Sequence, residues 1–471
     1  MDITRRAVTP GLLAILAGAA SPSRADTPAW RVPDDAAIAK ILADRIDVQK
    51  QGVGLVVGVI DAAGRRIITH GALAKDDPRP LGGDTLFEIG SMTKVFTGLL
   101  LADMARRGEV KLDDPAAKYL PDGVHVPERD GRQITLVDLA TQTSGLPRMP
   151  TNFAPKDPLN PFADYTVDQL YPFLGGYVLT RDIGSKYEYS NVGMGLLGHV
   201  LARRAGTDYE TLVRRRITGP LGMTDTAITL TPDQKARMAT GHTEDHQPTP
   251  AWDLPTLAGA GALRSTADDL LVFLAAELGF APSPLKPAMD AQLAVRRSAS
   301  PMMDVALAWH ILKTPAGEIV WHNGGTGGFR TFFGFDPKAK VGVVVLANLS
   351  NLIGADDIGF HLLTGRPLAV LKPPGPARRA ITLPADQLAG LAGRYRFATG
   401  AAVLTVTLRD GRLFAELSGQ AAYEIYPESR DEFFYKVVDA QLSFARGADG
   451  RATSVTLHQN GHDQAAGRIE P

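Results

Sequence analysis

The strongest constraint on the fold is a proline-rich break near residue 372, where the pattern of the sequence changes. Residues 372–376 read Lys-Pro-Pro-Gly-Pro, which is typical of a stiff linker between domains. Before this break, hairpin-like strands at both ends enclose a series of helices. Beyond residue 383, short strand-like runs are separated by turn pairs such as Asp410-Gly411. The chain of 471 residues therefore predicts two domains of different class.

The first domain begins and ends with segments that favour β-strands. Residues 53–60 and 65–69 flank a turn and predict a hairpin. The strands predicted near the other end are 319–322, 332–335 and 341–346. Helices are predicted at 34–43, at 136–140 behind the cap Thr135, and at 269–277 behind a capping box at 265–268. This order predicts an α+β fold, in which an antiparallel sheet is flanked by a helical region.

The second domain reads as all β. Its strand-like runs include 403–408, 413–417, 433–437 and 441–444. Roughly seven or eight strands in so short a segment predict a small barrel or sandwich.

The amino terminus has the order of an export signal. Arg5 and Arg6 give a basic start, residues 11–20 are apolar, and Ser23 and Ala25 offer the small residues that a signal peptidase requires. The pair of arginines also hints at twin-arginine export. We therefore predict a signal peptide at 1–25 and a periplasmic or secreted protein. The remaining chain divides into a large first domain at 26–371, a linker at 372–383 and a β domain at 384–471.

Composition excludes several classes of function. The formal net charge is -1 and no basic block occurs, so a nucleic-acid partner has no electrostatic support. The chain has no cysteine, which excludes disulfides and a catalytic thiol. The apolar stretch of the signal is too short to span a bilayer, and no other stretch approaches that length.

The most reactive stretch begins at Gly90-Ser91, ahead of an apolar run with helical spacing. A lysine three positions later, Lys94, shares one helix face with the serine. Serine is a poor nucleophile until a base removes its proton, and lysine is a base only when burial or nearby cations lower its pKa. Ser91 and Lys94 are therefore a candidate nucleophile and base. The alternative is a helix cap beside a solvated lysine.

Two further motifs place polar groups beside predicted elements. Tyr189 and Asn191 lie at a loop-to-helix junction, and His322 and Gly324 end a strand before a glycine-rich turn. Tyr189 is a second candidate base or proton shuttle, because a phenol beside a lysine ammonium has its pKa lowered. Asn191 has donor and acceptor ends suited to holding Lys94 and a substrate amide. Each residue also has a purely structural alternative: Tyr189 as a buried aromatic, Asn191 as a helix cap, and His322 as a hydrogen-bonded histidine at a strand end.

Other classes of hydrolase find less support. A Ser-His-Asp α/β-hydrolase needs a Gly-x-Ser-x-Gly elbow, which this sequence lacks. His242 and His246 have the spacing of two metal ligands on a helix, but Gly241 precedes them and prolines follow at once. A solvated loop without metal is therefore predicted at 242–246.

Taken in order, the three motifs resemble the Ser-x-x-Lys, Tyr-x-Asn and [Lys/His]-x-Gly set of the serine β-lactamase and penicillin-binding-protein superfamily. Residues 134–147, 220–223 and 259–266 are similar to the class C β-lactamase-like branch, the S12 peptidases. Residues 127–141 are similar to the AmpH-type penicillin-binding proteins. The resemblance covers about residues 35–365 and implies a β-lactamase/transpeptidase-like first domain.

The resemblance also implies roles for the site residues. Ser91 attacks a carbonyl to form an acyl-enzyme, and the N–H groups of Ser91 and Gly325 form the oxyanion hole. His322 lies on an edge strand, where it binds a substrate carboxylate or joins the proton relay. Gly324 and Gly325 leave room for substrate to lie against the strand as an added β-strand.

One departure from the family pattern narrows the substrate. His322 stands where β-lactamases usually carry the lysine of a Lys-Thr-Gly box, and Lys313-Thr314-Pro315 only imitates that box. His-x-Gly is more typical of DD-carboxypeptidases, D-aminopeptidases and related esterases. We therefore expect an exported serine hydrolase of D-amino-acid peptides or related amides, with no metal or organic cofactor. A β-lactam is a candidate small substrate, but antibiotic hydrolysis is not expected to be the main role. The alternatives are a carboxylesterase of small acyl esters and a non-catalytic penicillin- or cell-wall-binding protein.

The second domain has a resemblance of its own. Residues 393–397 and 432–435 are similar to the lipocalin-like domains appended to some S12 peptidases. This implies a barrel that limits substrate access or mediates homo-oligomerisation. The alternative is a module that only contributes stability.

Overall fold

The computed structural model describes residues 30–77, 79–351, 354–369, 378–398, 402–418, 422–435, 440–459 and 462–469. These residues fall into two compact units, divided between residues 371 and 372. The predicted signal peptide at 1–25 lies outside the described residues, as does the first part of the predicted linker, 372–377. The limits of these two segments stay predictions.

The first unit contains twelve of the helices found in the described residues. They are α1 (Asp35–Ala43), α2 (Thr93–Arg106), α3 (Leu136–Ala140), α4 (Val167–Gly176), α5 (Asn191–Arg204), α6 (Tyr209–Val213), α7 (Gly219–Leu221), α8 (Pro232–Ala236), α9 (Ala258–Gly261), α10 (Ala267–Leu278), α11 (Lys286–Ala294) and α12 (Asp356–Thr364). Two 3₁₀ turns lie at Gly90–Met92 and Ala116–Tyr119, and two π-helical turns lie at Asp44–Val48 and Arg214–Thr218.

The strands of this unit build one large antiparallel sheet and three short ribbons. The strands are β1 (Gly54–Asp61), β2 (Gly64–Gly71), β3 (Phe87–Glu88), β4 (Glu128–Arg129), β5 (Arg132–Gln133), β6 (Gly241–His242), β7 (Pro248–Thr249), β8 (Arg264–Ser265), β9 (Arg297–Ser300), β10 (Met303–Val305), β11 (His310–Thr314), β12 (Gly317–Gly325), β13 (Arg330–Asp336) and β14 (Val341–Ala347). The large sheet has the order β2-β1-β14-β13-β12-β11-β10-β9.

The sheet is buried on both faces because its central strands are apolar at successive positions. In β1, Val57 and Val59 belong to an apolar layer that includes residues of α1 and α12. Val56 and Ile60 belong to the larger core that includes α2 and α10. Alternate side chains of one strand therefore serve two layers, as a strand covered on both faces requires.

Most of the predicted elements of this unit are confirmed. The predicted hairpin is β1 and β2, paired from Gly54↔Gly71 to Asp61↔Gly64. Thr135 caps α3 in a capping box with Asp138. The predicted start of α10 was wrong by two residues: Thr266, not Ser265, is the cap, because its side chain accepts from the Asp269 N–H group.

The second unit is a closed antiparallel barrel of eight strands preceded by α13 (Ala385–Ala389). Its strands are β15 (Gly393–Phe397), β16 (Val403–Arg409), β17 (Arg412–Leu417), β18 (Tyr423–Pro427), β19 (Glu432–Tyr435), β20 (Ala440–Arg446), β21 (Ala452–Gln459) and β22 (His462–Ile469). Large side chains such as Tyr395, Phe433 and Leu442 are fully buried inside it. The predicted all-β domain is confirmed, and of the two predicted forms it is the barrel.

The described residues contain no helix that is both long enough and apolar enough to cross a membrane.

Candidate active site

The predicted nucleophile lies on a tight turn between β3 and α2. Gly90 adopts φ = +49°, in the left-handed region that glycine adopts without strain. A Cβ atom on Gly90 would lie 2.7 Å from the Gly325 nitrogen, so the turn packs closely against β12. The carbonyl of Ile89 also accepts a hydrogen bond from Thr331 Oγ1 at 3.0 Å. Ser91 is therefore held at a fixed position beside the strand that carries the third motif.

Lys94 lies in the first turn of α2, with its amine directed at Ser91. The distance from Lys94 Nζ to Ser91 Oγ is 2.8 Å, and Nζ donates to the carbonyl oxygen of Ala260 at 2.5 Å. The side chain is fully buried, with 0% of its surface exposed. Burial and, to a smaller extent, the positive charge of Arg148 hold the pKa of Lys94 well below its ordinary value. An amine in this state has a lone pair that can accept the serine proton, so the solvated-lysine alternative is wrong.

Tyr189 lies beside the same amine. Its ring centroid is 4.9 Å from Lys94 Nζ. Burial raises the pKa of the Tyr189 phenol, while its contact with the Ser91 hydroxyl lowers that pKa to a smaller extent. The predicted direction was therefore wrong, because burial of the phenol outweighs the neighbouring groups that lower its pKa. Tyr189 remains protonated and is suited to passing a proton on rather than to being the initial base.

β12 is not an edge strand, contrary to the prediction for His322. It is the fifth of eight strands, between β13 and β11. The pairing with β11 ends at His310↔Trp321, whereas the pairing with β13 continues to Gly325↔Arg330. Residues 322–325 therefore pair on one side only. The prediction is therefore wrong for β12 as a whole, but its last residues, near Ser91, have one side open to a further strand.

His322 is buried and neutral. Only 1% of its surface is exposed, and Nδ1 lies 2.6 Å from the carbonyl oxygen of Asn323. Burial lowers the pKa of His322 well below its ordinary value, and His310 and Lys94 lower it further. An imidazole without charge is a weak anchor for a carboxylate. The second predicted role, a place in the proton relay, stays a prediction, because His322 Nε2 has no hydrogen-bond partner among the described residues.

Two residues that the sequence did not identify, His310 and Tyr187, lie beside His322. His310 stacks on His322 with ring centroids 4.8 Å apart, and its Nε2 lies 3.0 Å from the hydroxyl of Tyr187. Burial lowers the pKa of His310 to about 4. Only the strand register brings His310 to this position, so no local sequence signal could identify it.

Gly324 and Gly325 each lie where a side chain would clash, but with different neighbours. A Cβ atom at Gly324 would lie 1.9 Å from the carbonyl oxygen of Ile89, and one at Gly325 would lie 1.7 Å from Arg330 Nη1. Neither position has space for a side chain. Gly324 therefore makes room first for the Ser91 turn, and the substrate-facing role assigned to it stays a prediction.

Asn191 is the first residue of α5, and its neighbour Ser190 is the cap. Its Nδ2 lies 3.6 Å from the sulfur of Met149. Among the described residues, no hydrogen bond joins Asn191 to Lys94, so that predicted contact is not found. Asn191 does line the cleft in front of Ser91 and remains placed to meet a substrate amide.

The cleft has a volume of about 300 Å³ with its open mouth included. Its lining combines the Ser91 turn with aromatic walls: Gly90, Ser91, Phe162, Asn191, Trp252, Leu254, Ala260, Gly261, Gly325 and Thr326. Phe162 comes from the long loop before α4. The buried carboxylate of Glu88 holds Trp252 in place by accepting a hydrogen bond from the Trp252 backbone N–H group at 2.6 Å.

Two motifs that resemble functional sites in the sequence, Lys313-Thr314-Pro315 and the pair His242 and His246, have other roles in the structure. Lys313 forms an ion pair with Asp304 at 2.7 Å at the end of β11. His242 is fully buried on β6, with Nδ1 3.0 Å from the carbonyl oxygen of Asn348, so the predicted solvated loop was wrong there. His246 Nε2 contacts the carbonyl oxygen of Lys50. Both imidazoles are thus engaged with the backbone.

Comparisons with known proteins match both units. The sequence model of the family described as "Beta-lactamase" matches residues 35–364. A second one, "Domain of unknown function (DUF3471)", matches residues 377–468.

Individual relatives carry related names. The chain is 30% identical over 349 residues to the D-alanyl-D-alanine-carboxypeptidase/endopeptidase AmpH of Escherichia coli, covering 70% of this chain and 89% of that protein. It is 26% identical over 442 residues to penicillin-binding protein 4* of Bacillus subtilis, covering 88% and 94%. A β-lactamase/D-alanine carboxypeptidase from Yersinia pestis, solved with citrate, superposes with a TM-score of 0.59 at 29% identity over 68% of this chain and 95% of that one. A class C β-lactamase from Rhodobacter sphaeroides superposes with a TM-score of 0.60 at 28% identity over 70% and 98%.

Proposed function

Because the chain belongs to the beta-lactamase family, as a serine hydrolase of its class C-like branch, we propose that it cleaves D-amino-acid peptides or related amides through an acyl-enzyme at Ser91. The observation that carries this proposal is the buried amine of Lys94, whose Nζ lies 2.8 Å from Ser91 Oγ. A neutral base at hydrogen-bonding distance is what a serine nucleophile needs.

The acylation step follows from this geometry. Lys94 takes the hydroxyl proton as Ser91 Oγ attacks the substrate carbonyl, and a tetrahedral intermediate forms. The N–H groups of Ser91 and Gly325 receive its oxyanion, an interaction whose loss typically lowers the rate by about 10²–10³. When the C–N bond breaks, the leaving amine takes the proton from Lys94 by way of the Tyr189 hydroxyl.

Deacylation reverses the proton path. A water molecule gives its proton toward Tyr189 and Lys94 as it attacks the ester carbonyl, and Ser91 recovers its proton on release of the acid. His322 and His310 lie beyond Tyr189 as buried imidazoles. The rings of Tyr189 and His322 are 6.4 Å apart, and His310 stacks on His322 and contacts the hydroxyl of Tyr187. A substrate strand lies along residues 322–325, where β12 pairs on one side only.

The names of the relatives support a D-peptide substrate. AmpH is named a D-alanyl-D-alanine carboxypeptidase/endopeptidase, and the structure from Yersinia pestis is named a β-lactamase/D-alanine carboxypeptidase. The runner-up is a carboxylesterase of small acyl esters. It is favoured by the neutral, buried state of His322 at the position where β-lactamases carry a lysine. The non-catalytic alternative has less support, since Ser91 and Lys94 have the geometry of a competent acylation pair.

We further propose that the chain is exported through residues 1–25 and acts in the periplasm or outside the cell. The support is the order of basic, apolar and small residues at its amino terminus. The barrel is proposed to limit access to substrate or to mediate homo-oligomerisation. Amino-terminal sequencing of exported protein tests the first point, and a start at Asp26 is the expected result.

The substrate class is tested by turnover. The purified protein is incubated with an N-acylated peptide ending in D-Ala-D-Ala, and free D-alanine is measured beside hydrolysis of p-nitrophenyl butyrate. We expect release of D-alanine by the wild type and none by Ser91→Ala. Ester hydrolysis without D-alanine release would replace the peptidase by the esterase.

A further inference from the structure

We propose that Arg148 is the residue that binds the carboxylate of the substrate, an inference that rests on the proposed acyl transfer at Ser91. Sequence reasoning assigned this task to His322 as one alternative. The assignment to Arg148 comes from its fixed backbone, the position of its guanidinium and the lack of another available cation.

The backbone of Arg148 is fastened to the start of α5. Its carbonyl oxygen accepts from the N–H group of Asn191 at 2.9 Å and from that of Val192 at 3.4 Å. The preceding carbonyl, of Pro147, accepts from Ser190 Oγ at 2.6 Å. Arg148 is therefore held against the segment that carries Tyr189 and Asn191.

The side chain is positioned yet open to a ligand. Its guanidinium carbon lies 5.1 Å from the ring centroid of Tyr189, which is a cation–π distance. Arg148 is exposed, and within the part of the chain that the structure describes its guanidinium forms no hydrogen bond or ion pair. A positive charge beside Tyr189, close enough to act on Lys94, thus lacks an acidic partner among the described residues.

The other basic groups near the cleft are engaged or neutral. Lys94 and His322 are buried, and the pKa of each is well below its ordinary value. Arg330 is packed beneath Gly325, donates from Nε to the Asn351 carbonyl oxygen at 2.5 Å, and has Asp356 nearby. Arg264 donates to the carbonyl oxygens of Ile228 and Trp252. Among these described groups, Arg148 alone offers an available charge.

The chemistry of guanidinium fits the proposed ligand. Its planar fork binds a carboxylate through two parallel N–H···O bonds, which a lysine ammonium does not reproduce. Peptides ending in D-alanine and penicillins both carry a free carboxylate near the bond that is broken. Anchoring that group at Arg148 orients the scissile carbonyl relative to Ser91.

The test compares a carboxylate substrate with its neutral counterpart. Rates of acylation by benzylpenicillin and by its methyl ester are measured by intact mass, at a pH where the wild-type rate is flat. The variants are Arg148→Gln, Arg148→Lys and, as a matched control, Arg215→Gln, an exposed arginine on the π-helical turn Arg214–Thr218. We expect Arg148→Gln to reduce the ratio of acid rate to ester rate by about 10- to 100-fold.

The controls separate binding from structure. Arg148→Lys is expected to lose an intermediate part of that ratio, and Arg215→Gln to keep it. An equal loss of both rates in Arg148→Gln, or no loss of either, would overturn the assignment. Unchanged thermal unfolding of Arg148→Gln shows that the variant folds.

A binding measurement separates this inference from the proposed function. N-acetyl-D-alanyl-D-alanine and its carboxyl-terminal amide are titrated calorimetrically into Ser91→Ala, with and without Arg148→Gln. We expect Arg148→Gln to weaken binding of the acid and to leave binding of the amide nearly equal. Because no acylation is involved, this result holds even if wild type forms no acyl-enzyme. Equal affinities for acid and amide in Ser91→Ala would overturn the inference alone.

Discussion

At the level of single residues, the proposed acyl transfer depends on the charge of one amine, that of Lys94. Lys94 accepts the serine proton only when it is neutral, and its burial together with the charge of Arg148 keeps its pKa low. Protonation of Lys94 removes the base, so kcat/KM for acylation falls about tenfold per pH unit below that pKa.

Arg148→Gln removes one of the two causes of this low pKa, so the pKa of Lys94 rises. We predict that the acidic limb of the profile of kcat/KM against pH moves to higher pH in Arg148→Gln. The neutral ester substrate is used, so that carboxylate binding does not contribute. Arg148→Lys keeps the charge and should keep the wild-type limb. A limb that is the same in all three proteins would show that the guanidinium does not act on Lys94.

Local spacing was sufficient to predict some of these residues. Ser91 and Lys94 are one helical turn apart, which the sequence alone implies, and the structure places them 2.8 Å apart. The pKa direction of Tyr189 could not be predicted in this way. It is set by the burial of the Tyr189 phenol in the folded chain, which outweighs the lowering effects of Ser91 and Arg148 and which local spacing does not reveal.

At the element scale, the site is the contact between the Ser91 turn and β12. The turn is held by the hydrogen bond from Thr331 Oγ1 to the Ile89 carbonyl oxygen, and Gly324 lies directly beneath that oxygen. The separation of these two elements sets the distance between the nucleophile and the proposed Gly325 donor.

Gly324→Ala places a methyl group 1.9 Å from a backbone oxygen, so one element must move. We predict a destabilisation of about 1–3 kcal/mol and a loss of acylation rate larger than the loss of stability explains. Chemical denaturation and intact-mass kinetics measure the two effects.

Gly175→Ala on α4 is the matched control, since a methyl group there has no heavy atom within 4 Å. Its expected effect on stability is neutral or favourable, and its acylation rate should equal that of the wild type. Wild-type kinetics in Gly324→Ala would show that the close approach of the two elements does not set the site.

Strand order explains why the edge position of β12 was predicted wrongly. β9 and β10 pair beyond β11 and extend the sheet, yet β9 reads Arg-Ser-Ala-Ser and has no apolar alternation. A strand of this composition is recognised only through its pairing. The barrel strands were easier to predict, because buried and exposed side chains alternate along them, as in β15 and β16.

At the scale of the whole molecule, a buried carboxyl links stability to pH. Glu277 lies inside the first unit on α10, and burial raises its pKa from 4.5 to about 8. Between these values the unfolded chain has released the proton and the folded chain retains it. The unfolded state therefore binds fewer protons, and the contribution of Glu277 to stability decreases as pH rises from 4.5 to 8.

Glu277→Gln remains neutral and should remove this contribution. We predict that it raises the free energy of unfolding by on the order of 1–4 kcal/mol at pH 8 and changes it little at pH 5. Denaturant unfolding at the two pH values measures the effect. The exposed Glu128→Gln is the control. An equal effect of Glu277→Gln at both pH values would contradict the account.

The barrel contains a second candidate nucleophile, Ser443, in a row of hydrogen-bonded side chains with His458 and Asp463. Ser443 Oγ lies 2.7 Å from His458 Nε2, and His458 Nδ1 lies 2.7 Å from Asp463 Oδ1, the atom order of a catalytic triad. However, the Ser443 hydroxyl donates to Glu432 Oε2 at 2.5 Å. Its proton is therefore engaged elsewhere, and we interpret the row as cross-strand hydrogen bonding that stabilises the barrel.

Acylation at Ser91 is tested by the intact mass of the protein after acid-quenched incubation with a penicillin, for wild type and for Ser91→Ala. We expect a mass increase of one penicillin on wild type alone, located to Ser91 by peptide mapping. A comparable adduct on Ser91→Ala, at Ser443 or elsewhere, would contradict it. So would a wild-type protein that forms no adduct and leaves the penicillin intact.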